Sequence, residues 1–172
     1  EVDVKGAYIH GLPRMAIKIA SGFYGNPARG LPSGSGMMVV VSAETGFPEA
    51  VLLDNGYLTE IRTGLAGAAA ARYLAPSTVS TVGVIGAGSQ GRYQVRALRL
   101  VRSFERVLVF DRTRESAEAY AREMHAELGV RVEPASAEAV VRESQVVISC
   151  TPSREPIVKA AWLHAGMHVT AM

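Results

Sequence analysis

The sequence predicts an α/β protein in which a doubly wound parallel sheet follows a strand-rich domain. Two observations predict it. Residues 1–56 contain short apolar runs typical of strands, and residues 77–172 alternate strand-like with helix-like segments. Such alternation is typical of a parallel sheet covered by helices on both faces. We expect two domains, 1–76 with a connecting helix over 57–76, and 77–172.

The first domain is predicted to consist of four short strands. They are expected at 3–10, 15–24, 37–42 and 49–53, and the last two flank a hairpin turn with Gly46 in it. The segment 25–36 is too rich in Gly, Pro and Ser for regular structure, and loops of this kind either connect or carry chemistry.

A change of period marks the connecting helix and the second domain. Apolar residues recur at helical spacing from Leu58 to Tyr73, and Pro76 ends the helix. Strands are then predicted at 81–85, 106–110, 130–133, 146–150 and 167–171. Helices are predicted at 89–101, 114–128 behind the cap Thr113, and 136–143, with a short one around Trp162. Because a doubly wound nucleotide domain normally has six strands, we expect this sheet to be incomplete at its C-terminal end and the chain to be a piece of a longer protein.

A glycine-rich turn between the first strand and helix of the second domain indicates dinucleotide binding. The β-branched run 82–85 leads into Gly86-x-Gly88-x-x-Gly91, a helix follows, and the next strand ends in Asp111. Gly86 permits a sharp turn, Gly88 lets the backbone approach a pyrophosphate, and Gly91 lets the helix pack on the strand. The helix N-terminus offers N–H groups to phosphates. The predicted domain is therefore of the Rossmann type.

Asp111 favours NAD as the cofactor. A carboxylate at this position accepts hydrogen bonds from the ribose hydroxyls and repels the 2′-phosphate of NADP. Arg112 and Arg114 leave NADP open, because either could reach a phosphate if Asp111 turned away; the alternative for both is a solvated loop. Thr151 follows the fourth strand and borders the expected cofactor crevice, or it belongs to an ordinary proline turn.

The sequence pattern does not decide between a structural and a functional role at three further places. Lys18 interrupts an apolar strand, and a polar face on an edge strand is the simpler explanation. Arg62 and Thr63 lie early in the alanine-rich helix, where an exposed arginine is common. Ser33 lies in a loop that could be a simple connector.

Composition and charge exclude several classes of protein. The chain has 172 residues, 48% of them hydrophobic, and a net charge of +2 with scattered basic residues; we expect no nucleic-acid partner. No apolar run approaches the ~20 residues that span a bilayer, so no membrane partner is expected. The single cysteine, Cys150, fits a reducing cytoplasm. The four histidines lack ligand spacing with a third partner, and no metal is assigned.

Several motifs together resemble the ornithine cyclodeaminase/mu-crystallin family. They are Met15-Ala-Ile-Lys18, the segment 26–32, Ala43-Glu-Thr-Gly46, Leu58-Thr-x-x-Arg-Thr63 and the segment 84–90. The resemblance covers essentially the whole chain and is nearest to the branch associated with ectoine utilisation.

The resemblance implies roles for individual residues. Lys18 would contact an amino-acid substrate, and Arg62 would bind its carboxylate and reach the cofactor with Thr63. Cofactor contacts are implied for Ser33, Ser89 and Gln90 at the phosphates, Asp111 at the ribose, and Thr151 and Thr170 along the nicotinamide half. A further substrate-binding arginine would precede Glu1, and the proton-donating acid would follow Met172.

The implied activity is a nicotinamide-dependent cyclodeamination of a small diamino acid by a cytoplasmic homodimer. Hydride leaves the α-carbon, an imine forms, ammonia is lost and hydride returns. Two alternatives stay open at this point: an amino-acid dehydrogenase or ketimine reductase on the same scaffold, and a non-catalytic binding protein like the mu-crystallins.

Overall fold

The computed structural model describes residues 1–172 and contains nine strands, four α-helices and two short 3-10 helices. The chain divides into two compact units, Glu1–Ile61 and Arg62–Met172. This boundary between the units falls inside the connecting helix, whereas the sequence pattern predicts a domain that ends at 76. Most of that helix belongs to the second unit, in which Thr63, Gly64, Gly67, Ala68 and Ala71 are buried.

The first unit is an antiparallel sheet with the strands in chain order. The strands are β1 (Val2–Ala7), β2 (Arg14–Gly22), β3 (Gly34–Ser42) and β4 (Pro48–Leu52). Two details differ from the expected irregular loop over 25–36: Asn26–Arg29 forms a 3-10 helix, and β3 already begins at Gly34. The β3–β4 turn has Gly46 at φ +74°, as the hairpin prediction requires.

Strand register gives this sheet two different faces. Lys18 of β2 lies opposite Lys5 of β1 and Met38 of β3. The other face, which we call the apolar face, carries Val2, Val4, Ile17, Ile19, Met37, Val39 and Val51. No residue of the four strands is buried, and Val2, Val4 and Val51 of the apolar face are exposed.

The second unit is a five-stranded parallel sheet. Its strands are β5 (Thr81–Ile85), β6 (Arg106–Phe110), β7 (Arg131–Pro134), β8 (Val146–Ser149) and β9 (His168–Ala171), in the order β7-β6-β5-β8-β9. The helices are α1 (Tyr57–Leu74), α2 (Ser89–Arg99), α3 (Arg114–Leu128) and α4 (Ala137–Arg142), and a 3-10 helix covers Ala160–Trp162. This order is that of a doubly wound nucleotide-binding fold, and it confirms the predicted fold class.

Alternate residues along the strands point to opposite faces of the parallel sheet, and each face has its own hydrophobic core. Val82 and Val84 of β5 belong to the larger cluster with Tyr120 and other residues of α2 and α3. Ile85 belongs to the smaller cluster, which includes the α4 side. Both faces are therefore covered, and the strands read as continuous apolar runs for that reason.

Helix ends are fixed by side chains that the sequence partly reveals. The Thr113 hydroxyl accepts from the N–H of Ser116 at the start of α3, and Ser136 caps α4 in the same way. The end of α1 is held by Arg102, whose guanidinium donates to the carbonyl oxygens of Arg72, Ala75 and Pro76. A cation at these orphan carbonyls fixes where α1 stops.

Candidate functional site

The candidate site lies at the carboxyl edge of the parallel sheet. Gly86 follows β5, Asp111 follows β6, Thr151 follows β8, and Thr170 is near the end of β9. Because parallel strands end at one edge, the topology brings these predicted residues to the same side of the sheet, where α/β folds bind ligands.

The three glycines of the turn have three different structural reasons. Gly86 has φ +106°, and a Cβ there would collide with the carbonyl oxygen of Cys150. A Cβ on Gly91 would lie 2.5 Å from the carbonyl oxygen of Gly86, so α2 packs against the turn without a side chain between them. The space at Gly88 is open, with no atom within 4 Å of a Cβ position. This open backbone at a helix N-terminus fits a pyrophosphate.

Asp111 is tied to the turn by its carboxylate. Oδ2 accepts a hydrogen bond from the N–H of Ala87 at 2.9 Å, and Oδ1 accepts from the N–H of Thr113 at 3.2 Å. Each carboxylate oxygen has a second lone pair for a ribose hydroxyl. Arg114 pairs with Glu118 at 2.7 Å, but this pair is exposed and a surface ion pair of this kind is weak. Arg112 and Arg114 both stay candidates to oppose Asp111 in cofactor choice.

Two residues outside the predicted set, Gln94 and Arg92, hold this region together. Gln94 is 2% exposed, and its amide donates to the carbonyl oxygen of Thr63 at 3.0 Å and to Gln90 Oε1 at 3.4 Å. Its signal was a polar residue at a core position of α2. Arg92 donates to the carbonyl oxygens of Ala87 and Gly88; an arginine directly after the third glycine was the available signal.

Gln94 connects two of the predicted site segments. Thr63 is buried in α1 next to the exposed Arg62, and Gln90 is in the first turn of α2. The hydrogen bonds of the Gln94 amide therefore tie the start of α2 to the backbone beside Arg62. Rotation of either helix end would break these hydrogen bonds and leave the buried Gln94 amide without a partner, which is unfavourable.

Thr170 is oriented by a neighbouring histidine. The Nε2 atom of His168 lies 3.0 Å from the Thr170 hydroxyl, and His168 is 9% exposed. Burial, with a smaller contribution from the charge of Arg102, lowers the pKa of His168. A neutral imidazole can accept from, or donate to, the hydroxyl.

Lys18 and Ser33, two further predicted site residues, belong to the first unit. β2 pairs with β1 on one side and β3 on the other. The explanation of Lys18 as a charge on an edge strand is therefore wrong, because β2 is an inner strand. Ser33 immediately precedes β3, and its carbonyl oxygen accepts from the N–H of Phe23 at 2.8 Å.

No group of three or more His, Cys, Asp or Glu side chains could hold a metal ion. No helix of the structure is both long enough and apolar enough to cross a membrane.

Comparison with known proteins places these features in a family. A cyclodeaminase of Sinorhizobium fredii (strain NBRC 101917 / NGR234), named as uncharacterized, is 46% identical over all of this chain and 52% of its own length. The structure of a lysine cyclodeaminase, solved for recognition of L-lysine, L-ornithine and L-2,4-diamino butyric acid, superposes with a TM-score of 0.90 at 31% identity. It covers 98% of this chain and 49% of its own.

An archaeal alanine dehydrogenase dimer with bound NAD superposes with a TM-score of 0.88 at 35% identity, covering 98% of this chain and 51% of its own. The chain thus spans about half the length of these relatives. The model of the ornithine cyclodeaminase/mu-crystallin family matches residues 2–172. The chain belongs to the ornithine cyclodeaminase/mu-crystallin family.

Proposed function

We propose that the protein containing this chain is an NAD-dependent enzyme that acts on a small amino acid. The observation that carries the proposal is the Asp111 carboxylate bonded to the Ala87 N–H of an open glycine turn. That arrangement presents an acid to the ribose beside a backbone that admits a pyrophosphate. NAD bound to a related alanine dehydrogenase supports this choice of cofactor.

The leading reaction is a cyclodeamination. Bound NAD supplies the acceptor and then the donor of hydride. Lys18 and Arg62 are proposed to bind and orient the amino acid, Arg62 through a bidentate contact with its carboxylate. Ser33, Thr63, Ser89, Gln90, Thr151 and Thr170 are proposed cofactor contacts. The lysine cyclodeaminase neighbour, solved for the recognition of diamino acids, supports this reaction class.

The second candidate is an amino-acid dehydrogenase. The similarity to alanine dehydrogenase, also across nearly the whole chain, favours it. The two reactions differ in their redox balance: a cyclodeaminase returns the hydride and releases ammonia, whereas a dehydrogenase leaves NADH as a net product.

One experiment tests the proposal. Full-length protein is incubated with NAD and a series of diamino and monoamino acids, and both ammonia and NADH absorbance are followed. Ammonia from a diamino acid with no net NADH supports the cyclodeaminase, and stoichiometric NADH supports the dehydrogenase. Cofactor binding with no turnover of any amino acid with NAD, and none of a cyclic imine with NADH, would identify a binding protein and overturn the enzymatic proposal.

We also propose a cytoplasmic homodimer. The apolar face includes Val2, Val4 and Val51, which are 59%, 67% and 57% exposed, and neighbouring exposed apolar side chains on one face are typical of an interface. The alanine dehydrogenase neighbour is a dimer. The single cysteine, Cys150, forms no disulfide, in keeping with a reducing compartment.

A further inference from the structure

Arg92 contacts the glycine turn on the side where the backbone carbonyl oxygens point, opposite to the N–H groups of the turn. Its guanidinium donates to the carbonyl oxygens of Ala87 and Gly88, the latter at 3.1 Å. In a trans peptide the C=O and the following N–H point in opposite directions, and the chain has no cis peptide. Fixing these two carbonyls therefore fixes the N–H groups of Gly88 and Ser89, which point away from Arg92.

The first two N–H groups of the turn already have partners. Gly86 donates to the carbonyl oxygen of Phe110 at 2.8 Å, and Ala87 donates to Asp111. The N–H groups whose direction Arg92 controls are thus those at the open Gly88 and at the first residue of α2, where a helix has no internal partner for its N–H groups.

Two side chains of α3, Glu123 and Tyr120, contact the guanidinium of Arg92. Its Nε donates to Glu123 at 2.8 Å, and the guanidinium lies 5.1 Å from the centre of the Tyr120 ring. The Tyr120 hydroxyl donates to the carbonyl oxygen of Gly91 at 3.0 Å. Burial raises the pKa of Tyr120, so its hydroxyl stays a donor. The Arg92 hydrogen bond lowers the pKa of Glu123.

We propose that Arg92 is a positioning residue that presets the turn for a dinucleotide pyrophosphate, without touching the phosphates. Tyr120 and Glu123 supply the support that keeps its guanidinium on the two carbonyls. The inference rests on the proposed NAD binding and adds a residue to it. The N–H groups of Arg92 are directed at Glu123 and at the two carbonyl oxygens of the turn, and so are already engaged by acceptors of the protein.

The test compares Arg92→Met with Arg96→Met in the full-length protein. Arg96 is one turn further along α2, pairs with Glu127 at 2.7 Å and lies over the Tyr93 ring. It also lies 3.6 Å from Glu123, so Arg96→Met removes this longer contact while the Arg92–Glu123 pair at 2.8 Å stays in place. The dissociation constant of NADH is measured at several salt concentrations. Arg92→Met is expected to weaken binding about tenfold to a hundredfold, the range for losing bonds from a charged donor, and Arg96→Met to leave it within about twofold. Arg92→Lys, which keeps a charged donor, is expected to restore part of the affinity.

The salt dependence separates positioning from direct contact. Losing a direct phosphate contact reduces the salt dependence of binding, whereas losing a positioning contact leaves it unchanged, and we expect it unchanged. NADH binding equal to wild type in Arg92→Met, equal losses in the two methionine variants, or a reduced salt dependence would each overturn the inference. A wild-type protein that binds no NADH would instead overturn the proposed function, on which this inference depends.

Discussion

The carboxylate of Asp111 and the N–H of Ala87 are joined by a 2.9 Å hydrogen bond. The residue proposed to recognise the ribose thus also anchors the first peptide of the glycine turn. Recognition of the ribose and the shape of the phosphate site are consequently coupled through one side chain.

Asp111→Ala is expected to weaken the binding of both NADH and NADPH, with the larger loss of affinity for NADH. Both lose the anchored turn, but only NADH loses its ribose acceptor, while NADPH is relieved of a repulsive charge. Titration of wild type, Asp111→Ala and the exposed control Glu115→Ala with both cofactors measures this. A wild-type preference for NADPH would mean that Arg112 or Arg114, and not Asp111, determines the choice of cofactor.

Gly67→Ala is expected to destabilise the protein, although alanine normally favours a helix by ~1 kcal/mol over glycine. A Cβ at Gly67 collides with Oε1 of Gln94 and lies 3.3 Å from Cγ2 of Thr170. The Gln94 amide cannot move aside without losing its bonds to Thr63 and Gln90. We expect a cost of about 1–3 kcal/mol, typical of overpacking.

A double-mutant cycle checks the cause. In the Gln94→Ala background the collision is gone, so Gly67→Ala should become neutral or stabilising, measured as the free energy of unfolding in urea. The same sign of effect in both backgrounds would show that Gln94 is not the obstacle.

Local patterns predicted the second unit closely. The strands Thr81–Ile85 and Arg106–Phe110 have their predicted bounds, since a strand buried on both faces is an apolar run that ends at a turn residue. The cap Thr113 was likewise readable, because its bond to Ser116 is local.

Contacts between distant residues were not predictable in this way. The inner position of β2 depends on pairing with β1 and β3, which one strand's alternation does not encode. Arg92 resembles any helix-surface arginine until Glu123 and Tyr120 of α3 are known to face it. The roles of Lys18 and Arg62 came from the family resemblance and stay predictions.

Stability is expected to fall as the pH decreases from about 7.5 to 5, in part because of His168. Its pKa is lowered in the folded state from 6.5, so the unfolded chain binds a proton first. The stabilisation is present above pH 6.5, is lost as the pH falls towards the folded pKa, and changes no further below it. His168→Gln should flatten this part of a profile of unfolding free energy against pH.

His10→Gln, at an exposed position, serves as the control for the replacement of a histidine by glutamine. Glu123 and Glu127 have lowered pKa values, and their effect falls below pH 4.5, outside this window. An identical slope in wild type and His168→Gln would contradict the prediction.

Val4→Glu is expected to convert the proposed dimer to a monomer. Val4 lies on the apolar face opposite Ile19, and a buried unpaired carboxylate at an interface is costly to desolvate. Sedimentation velocity measures the change, with Lys5→Glu as the neighbouring control on the other face. A Val4→Glu protein that remained dimeric would place the interface elsewhere.

Lys18→Met is expected to abolish turnover while leaving NADH affinity nearly unchanged. Methionine keeps the apolar stem and suits an inner strand opposite Met38, so the sheet should persist. Orientation of the reactants can lower the activation free energy by about 7–11 kcal/mol, and loss of one orienting group can remove several kcal/mol of this. Such a loss corresponds to a decrease of orders of magnitude in kcat/KM. The control is Arg14→Met, which removes a cation from the first residue of the same strand, where it pairs with Glu49. Wild-type turnover in Lys18→Met would remove Lys18 from the substrate site, and equal losses in both variants would indicate damage to the sheet instead of to substrate binding.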